Sequence, residues 1–208
     1  MNSSVNADSR PCPDADSTPR CPWCGNDPAY RQYHDREWGV PCYEERTLFE
    51  FLILEGAQAG LSWLTILRKR EGYRLAFDQF NPEMIAQYNE AKVKELMQNP
   101  SIVRNQLKIR SAINNAQRYL ELCETEGSLS EYLWHFVDGR PIVNSYSTLK
   151  QIPAKTPLSD TISKDMKRRG FKFFGSTICY AHMQATGMVN DHLTSCFRHT
   201  ECQHLSKY

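Results

Sequence analysis

The chain has 208 residues, of which 40% are hydrophobic and 24% charged, with a formal net charge of +1. These proportions are typical of a folded globular protein and exclude collagen-like or intrinsically disordered chains. Because the net charge is close to zero, any contact with nucleic acid depends on a local basic patch. The longest apolar stretch, 48–67, is broken by polar and charged residues, so we predict no membrane span. No charged start followed by a hydrophobic run precedes it, and we therefore expect a cytoplasmic protein.

The first part of the chain, residues 1–20, is polar and rich in Ser, Asp and Pro, and is predicted to be a disordered tail. Helix signals dominate from Cys21 onward. Residues suited to helix N-caps precede apolar runs at Thr47, Ser62, Asn81 and Ser128.

The later part of the chain carries the longest helix pattern. Apolar residues recur at helical spacing over about 103–124. Two further helices, about 159–169 and 176–186, are separated by a turn with a glycine at each end. No convincing alternating strand is found, so we predict an all-α fold.

Eight cysteines are many for this length, and without a secretory signal they are better read as possible metal ligands than as disulfides. His192 and Cys196 lie four residues apart, which suits two adjacent corners of a zinc tetrahedron. Cys21 and His34 are the best candidates for the other two corners. Such a closed Cys2His2 set would be structural and would join the two ends of the chain.

Other assignments of these residues remain open at this point. Cys24 lies close to Cys21, and scattered buried cysteines are an equally simple interpretation. Further candidate ligands after Cys196 are His199, Cys202 and His204. A thioredoxin-type redox pair of Cys21 and Cys24 is a third interpretation, but it requires a βαβ context that the pattern lacks.

Glu55 is the most informative acidic residue because Phe51, Leu52 and Ala59 place it on the apolar side of its helix. A buried carboxylate is costly unless it is paired or used in function. An ion pair with an arginine at a helix junction is therefore the alternative to a functional role.

Small residues follow Glu55, and small residues let another molecule approach the backbone closely. Trp63 then offers a stacking surface, and Leu61 an exposed apolar tip. Tyr30, Tyr33 and Trp38 lie beside His34. These aromatic side chains either form ordinary core or line a pocket with a carboxylate at its floor, an arrangement that suits an extruded nucleobase.

A basic cluster surrounds the turn 170–175. Its members are Lys164, Lys167, Arg168, Arg169 and Lys172. A turn with glycines at each end, between two helices, is typical of backbone phosphate binding, whereas a solvated basic surface is the alternative.

Taken together, these segments resemble the DNA-3-methyladenine glycosylase I family, bacterial alkylation-repair enzymes of the helix–hairpin–helix superfamily. The matching stretches are YHDREWGVP at 33–41, LEGAQAGLSW at 54–63, RRGFKF at 168–173, TICY at 177–180 and VNDH at 189–192. The resemblance implies a glycosylase domain over 21–197, with the hairpin motif at about 159–186 and a C-terminal tail at 198–208.

The resemblance also implies roles for particular residues. One structural Zn2+ per chain would join the two chain ends, bound by Cys21, His34, His192 and Cys196. The base would lie among Glu55, Tyr33, Trp63, Trp38 and Trp23. Leu61 would be the DNA wedge, and the hairpin with Gly170, Lys172 and Gly175 would bind phosphate. The implied partner is double-stranded DNA with alkylated adenine, and the implied product is 3-methyladenine. We expect a monomer without membrane contact that acts on the bacterial nucleoid.

The expected chemistry needs little acid catalysis, because methylation at N3 makes the base a cationic leaving group. Glu55 would accept a hydrogen bond from the exocyclic amine and favour the cationic base. Asn190 stands where related enzymes have an aspartate, and Ser176 where bifunctional relatives have a lysine. We therefore expect a monofunctional enzyme. The alternative, a zinc-stabilised DNA-binding module without catalysis, predicts that the pocket is packed shut.

Overall fold

The computed structural model describes residues 18–205, so the predicted N-terminal tail falls almost entirely outside the described residues. The described part is mostly helical. Its α-helices are α1 Pro28–Arg36, α2 Glu45–Gln58, α3 Trp63–Ala76, α4 Pro82–Ile85, α5 Glu90–Gln98, α6 Gln106–Glu126, α7 Leu129–His135, α8 Pro157–Arg168, α9 Ser176–Ala185 and α10 Phe197–His204. None of the described helices is long and apolar enough to cross a membrane.

Helix α2 forms the centre of the core. All residues from Leu48 to Ala57 are buried, and α3, α6, α7 and α9 pack around the helix. A helix enclosed on every side buries whatever it carries, which here includes two carboxylates, Glu50 and Glu55. Their different surroundings decide their roles.

The local signals for helix starts are correct in three of the four positions. Ser62, Asn81 and Ser128 cap α3, α4 and α7 by accepting backbone N–H bonds. Helix α2 instead begins before Thr47, because the Glu44 carboxylate accepts bonds from the backbone N–H groups of Arg46 and Thr47.

Helix α3 continues through Gly72 and ends at Ala76. At Gly72 a Cβ atom would come within 2.5 Å of the Ser101 carbonyl oxygen. The glycine therefore permits a close approach between α3 and the turn at Ser101, and it does not end the helix.

Two strands that the sequence did not predict form a minimal parallel pair, β1 Ile142–Val143 and β2 Val189–Asn190. Two residues are too few for an alternating pattern, which is why the pair escaped detection. The pair attaches the segment 139–156 to the chain after α9.

The predicted C-terminal tail is wrong for the described residues, since α10 occupies most of that segment. Arg198, His199 and Cys202 are buried in it. The His199 carbonyl accepts a bond from the Asn190 amide at 2.9 Å, and its ring Nε2 lies 2.8 Å from the Asn144 carbonyl oxygen. These contacts join α10 to β2 and to the residue that follows β1.

Candidate active site and metal centre

A cavity of about 320 Å³ opens between α1, α2, α3 and α9. Its lining includes five aromatic residues, Trp23, Tyr30, Tyr33, Trp38 and Trp63, and six others, Glu55, Gln58, Leu149, Ile152, Ala181 and Gln184. All of the residues predicted to bind a base therefore line one cavity. Leu149 and Ile152, from a segment without a predicted element, complete its wall.

The aromatic rings of the cavity pack edge to face or tilted. Trp23 lies with its ring centroid 5.0 Å from that of Trp38, and Tyr33 lies 5.5 Å from Trp63. The buried indole nitrogens of Trp23 and Trp63 have no hydrogen-bond partner among the described residues. Buried donors of this kind are rare in folded proteins, so these two favour a polar ligand in the cavity.

Glu55 is 3% exposed, and its buried Oε2 atom has no hydrogen-bond partner within residues 18–205. Burial raises the pKa of Glu55 to about 8. The arginine that could have paired with it, Arg70, binds Glu50 and Glu37 instead. The ion-pair interpretation therefore applies to Glu50 and fails for Glu55.

The contrast between paired Glu50 and unpaired Glu55 can be tested by measuring the free energy of unfolding. The folded state holds a proton on Glu55 between its ordinary pKa of 4.5 and about 8, whereas the unfolded chain loses it. Ionisation therefore destabilises the wild type as pH rises through this range. We expect Glu55→Gln to stabilise the protein by roughly 2–5 kcal/mol at pH 8 and by little at pH 4, measured by chemical unfolding.

The matched control is Glu50→Gln on the same helix. It removes one partner of a buried ion pair, so we expect destabilisation of about 3–5 kcal/mol at neutral pH. Equal losses of stability in both variants would contradict the assignment of Glu55 as an unpaired carboxylate.

Leu61 lies on the turn between α2 and α3 and is 40% exposed. Gly60 has a φ of +79°, which a residue with a side chain rarely adopts. Lys108 Nζ donates to the carbonyl oxygens of Ala57 and Ala59 at 2.7 and 2.6 Å, and so satisfies acceptors at the end of α2. Sequence reasoning missed Lys108 because the contact joins positions about 50 residues apart.

The turn between α8 and α9 is held by two asparagines of α6. The Lys172 N–H donates to Asn115 Oδ1 at 2.8 Å, and Asn114 Nδ2 donates to the Gly170 carbonyl at 2.9 Å. The Lys172 backbone N–H is thus occupied, whereas its side chain and Gly175 are exposed. Sequence reasoning named neither asparagine.

The same turn also contacts α2 next to the cavity. A Cβ atom at Gly56 would lie 3.3 Å from the Phe173 Cβ atom, and Phe173 itself has a φ of +53°. The basic turn and the residue after Glu55 are therefore in direct contact.

Cys21, His34, His192 and Cys196 form one buried cluster whose ligand atoms all lie within 4.8 Å of one another. The Cys21 sulfur is 3.6 Å from His192 Nδ1, and the Cys196 sulfur is 3.4 Å from His34 Nε2. This is the set that the resemblance implied, and it could bind a metal ion.

The remaining ring nitrogens of both histidines have acceptors outside the cluster. His34 Nδ1 lies 2.7 Å from Asp35 Oδ1, and His192 Nε2 lies 2.9 Å from the Trp38 carbonyl oxygen. Outer contacts of this kind fix the tautomer that turns the other nitrogen toward a metal. Both the donor set and its surroundings therefore fit a tetrahedral metal ion.

The other candidate ligands lie outside this cluster, and the redox interpretation of Cys21 and Cys24 has less support. The Cys24 thiol donates to the Cys21 carbonyl at 3.2 Å, and the His199 ring contacts the Asn144 carbonyl, so neither belongs to the cluster. Burial raises the pKa of Cys24, whereas a reactive thiol of a redox pair requires a lowered pKa.

Asn190, at the position where related enzymes have an aspartate, is engaged in structure. Its Nδ2 donates to the His199 carbonyl, and its Oδ1 accepts from the His192 N–H at 3.2 Å. The buried amide leaves no carboxylate at this position.

Sequence and structure comparisons agree with this geometry. Residues 23–199 match the family model described as methyladenine glycosylase. The chain is 48% identical to DNA-3-methyladenine glycosylase 1 of Escherichia coli (strain K12), over 85% of this chain and 95% of that protein. It is 46% identical to DNA-3-methyladenine glycosylase of Haemophilus influenzae (strain ATCC 51907 / DSM 11121 / KW20 / Rd), over 86% of this chain and 97% of that protein.

Solved structures are similarly close. A crystal structure of 3-methyladenine DNA glycosylase I superposes with a TM-score of 0.83 at 50% identity, covering 86% of this chain and 98% of that one. The Staphylococcus aureus enzyme, whose structure concerns 3-methyladenine recognition, gives a TM-score of 0.84 at 39% identity, covering 86% and 95%. The chain therefore belongs to the methyladenine glycosylase family.

Proposed function

We propose that this chain is a DNA glycosylase that removes 3-methyladenine from double-stranded DNA. The observation that carries the proposal is Glu55, a buried carboxylate that forms no ion pair in the part of the chain that the structure describes and lies in an aromatic cavity large enough for a base. The experiment that tests it is the release of free 3-methyladenine from methylated duplex DNA. The alternative of a binding module without catalysis predicts a closed pocket, and the open cavity counts against it.

The cavity supplies the charge that a methylated base requires. Methylation at N3 gives the base a fixed positive charge, which favours the ionised form of Glu55 and opposes the effect of burial on its pKa. Neutral adenine lacks this compensation. Trp63 offers a stacking face, and burial raises the pKa of Tyr33, which keeps its phenol protonated as a donor.

The reaction is a hydrolysis. The bond from C1′ of the deoxyribose to the base breaks, and its electron pair neutralises the charge of the base. A water oxygen forms the new bond to C1′ and loses its proton to solvent. The products are neutral 3-methyladenine and an abasic site. We assign no lysine nucleophile, because Ser176 occupies the candidate position, and therefore expect no strand cleavage.

The DNA contacts follow from the two exposed turns. Leu61 fills the space left by the extruded nucleotide, at an unstacking cost of a few kcal/mol. Helices α8 and α9 with the turn 170–175 act as the helix–hairpin–helix motif. The start of α9, where no described side chain caps the helix, meets a phosphate with its backbone N–H groups. We expect the protein to act as a monomer on bacterial nucleoid DNA.

This assignment predicts the effect of Lys172→Glu. We expect weaker binding to damaged and undamaged duplex alike, because a phosphate contact carries no sequence information. The slope of log affinity against log salt should fall by about one, measured by fluorescence anisotropy. Lys94→Glu on α5 is the control for charge reversal outside the hairpin. A Lys172 variant that altered only the preference for the damaged base would refute the role.

We propose that the Cys2His2 cluster holds one structural zinc ion. The set is closed, because two thiolates and two imidazoles fill a tetrahedron and leave no position for substrate. Zinc would supply no chemistry to the reaction. It would join the segment before α1 to the segment after β2, and so hold Tyr33 and Trp38 in place.

A further inference from the structure

The cavity contains two glutamine side chains, Gln58 at the end of α2 and Gln184 near the end of α9. Gln184 Nε2 donates a 2.8 Å hydrogen bond to Asp191 Oδ2. No described residue bonds to the side chain of Gln58. One amide is therefore fixed, and the other is free to turn over.

Asp191 determines which way the Gln184 amide faces. It is fully buried, and its carboxylate also accepts bonds from Asn144 Nδ2 and the Tyr180 hydroxyl, both at 2.6 Å. A carboxylate only accepts, so turning the amide over would place two acceptor oxygens against each other. The amide nitrogen must face Asp191.

The other amide atom, Gln184 Oε1, has no partner among the described residues. Since Gln184 lines the cavity, its wall presents a fixed acceptor in addition to Glu55. An exocyclic amine has two N–H bonds and can use two acceptors. A carbonyl oxygen at the same ring position has none and would meet an acceptor.

We propose that Gln184 is a specificity-determining residue, which accepts a hydrogen bond from the exocyclic amine and rejects bases that carry an oxygen there. Asp191 is its positioning residue. The proposal rests on the proposed function of the cavity. This contact would discriminate between amino and oxo purines, which the charge on Glu55 alone does not do, because both kinds of methylated nucleotide are cationic.

The test is calorimetric titration of two free bases, 3-methyladenine and 3-methylhypoxanthine, which carry an amine and an oxygen, respectively, at position 6. The proteins are the wild type, Gln184→Met and Gln58→Met, since methionine keeps the length of glutamine without its amide. We expect the wild type to favour 3-methyladenine, and the ratio of the two dissociation constants to fall about tenfold in Gln184→Met. In Gln58→Met the ratio should be unchanged, because a freely turning amide serves either base.

An unchanged ratio in Gln184→Met, or an equal fall in both variants, would overturn the role of Gln184. In that outcome the wild type still binds 3-methyladenine, and the cavity remains the base site. A wild type that binds neither base would overturn the cavity assignment itself, and Gln184 with it.

Discussion

Glu55→Gln is expected to slow the excision of 3-methyladenine by about one to two orders of magnitude. The substitution keeps the size of the side chain but removes the charge that a cationic base stabilises. Hydrogen bonds to charged groups contribute roughly 1.5–3 kcal/mol, which sets the size of the effect. The measurement is single-turnover release of the base from methylated duplex DNA.

The pH dependence separates charge from shape in this experiment. The pKa of Glu55 is about 8 in the free protein, so kcat/KM of the wild type should rise with pH up to about 8 and then level off. Glu55→Gln should lack this rise. Full activity of Glu55→Gln together with a loss of stability would make Glu55 a structural residue and would place base recognition elsewhere.

Loss of zinc is expected to have the largest effect on stability. Cys196→Ser removes a thiolate ligand, and structural zinc contributes about 10 kcal/mol or more in zinc-finger peptides. Even a loss of about 4 kcal/mol would lower the Tm by roughly 8–16 °C in a chain of this size. Native mass spectrometry should show one zinc ion in the wild type and none in the variant.

Cys24→Ser is the matched control for the zinc experiment. Cys24 is buried close to Cys21, but its thiol only donates to a backbone carbonyl, and a serine hydroxyl can make the same bond. We expect this variant to retain its zinc and nearly all of its stability. A wild type purified without metal and unaffected by Cys196→Ser would exclude a structural zinc ion.

Features that depend on local sequence could be predicted, and features that depend on tertiary contacts could not. Ser62 and Ser128 predict helix starts because an N-cap side chain bonds to a backbone N–H within the first turn of its own helix. Spacing alone left the set of metal ligands open. The family resemblance implied that Cys21 and His34 join His192 and Cys196 in one set. The family assignment is confirmed, and the four side chains form the expected cluster.

The residues that hold the site in place belong to no local motif that the sequence analysis could use. Their contacts appear only in the folded protein. Lys108 bonds to the end of α2, Asn115 bonds to the basic turn, and Gln184 bonds to Asp191. The wrong C-terminal tail has a similar origin. A short polar helix such as α10 has little apolar periodicity, and its burial follows from contacts with Asn144 and Asn190.

The proposed metal ligands and the cavity residues are interleaved along the first part of the chain, with Trp23 following Cys21 and Tyr33 preceding His34. Every residue that lines the cavity is synthesised before His192 leaves the ribosome. A growing polypeptide thus carries the whole set of cavity-lining side chains before it has His192 and Cys196 of the proposed zinc site. A product that stops short of His192 lacks two of the four proposed zinc ligands, so it cannot form the site that would join the two ends of the chain.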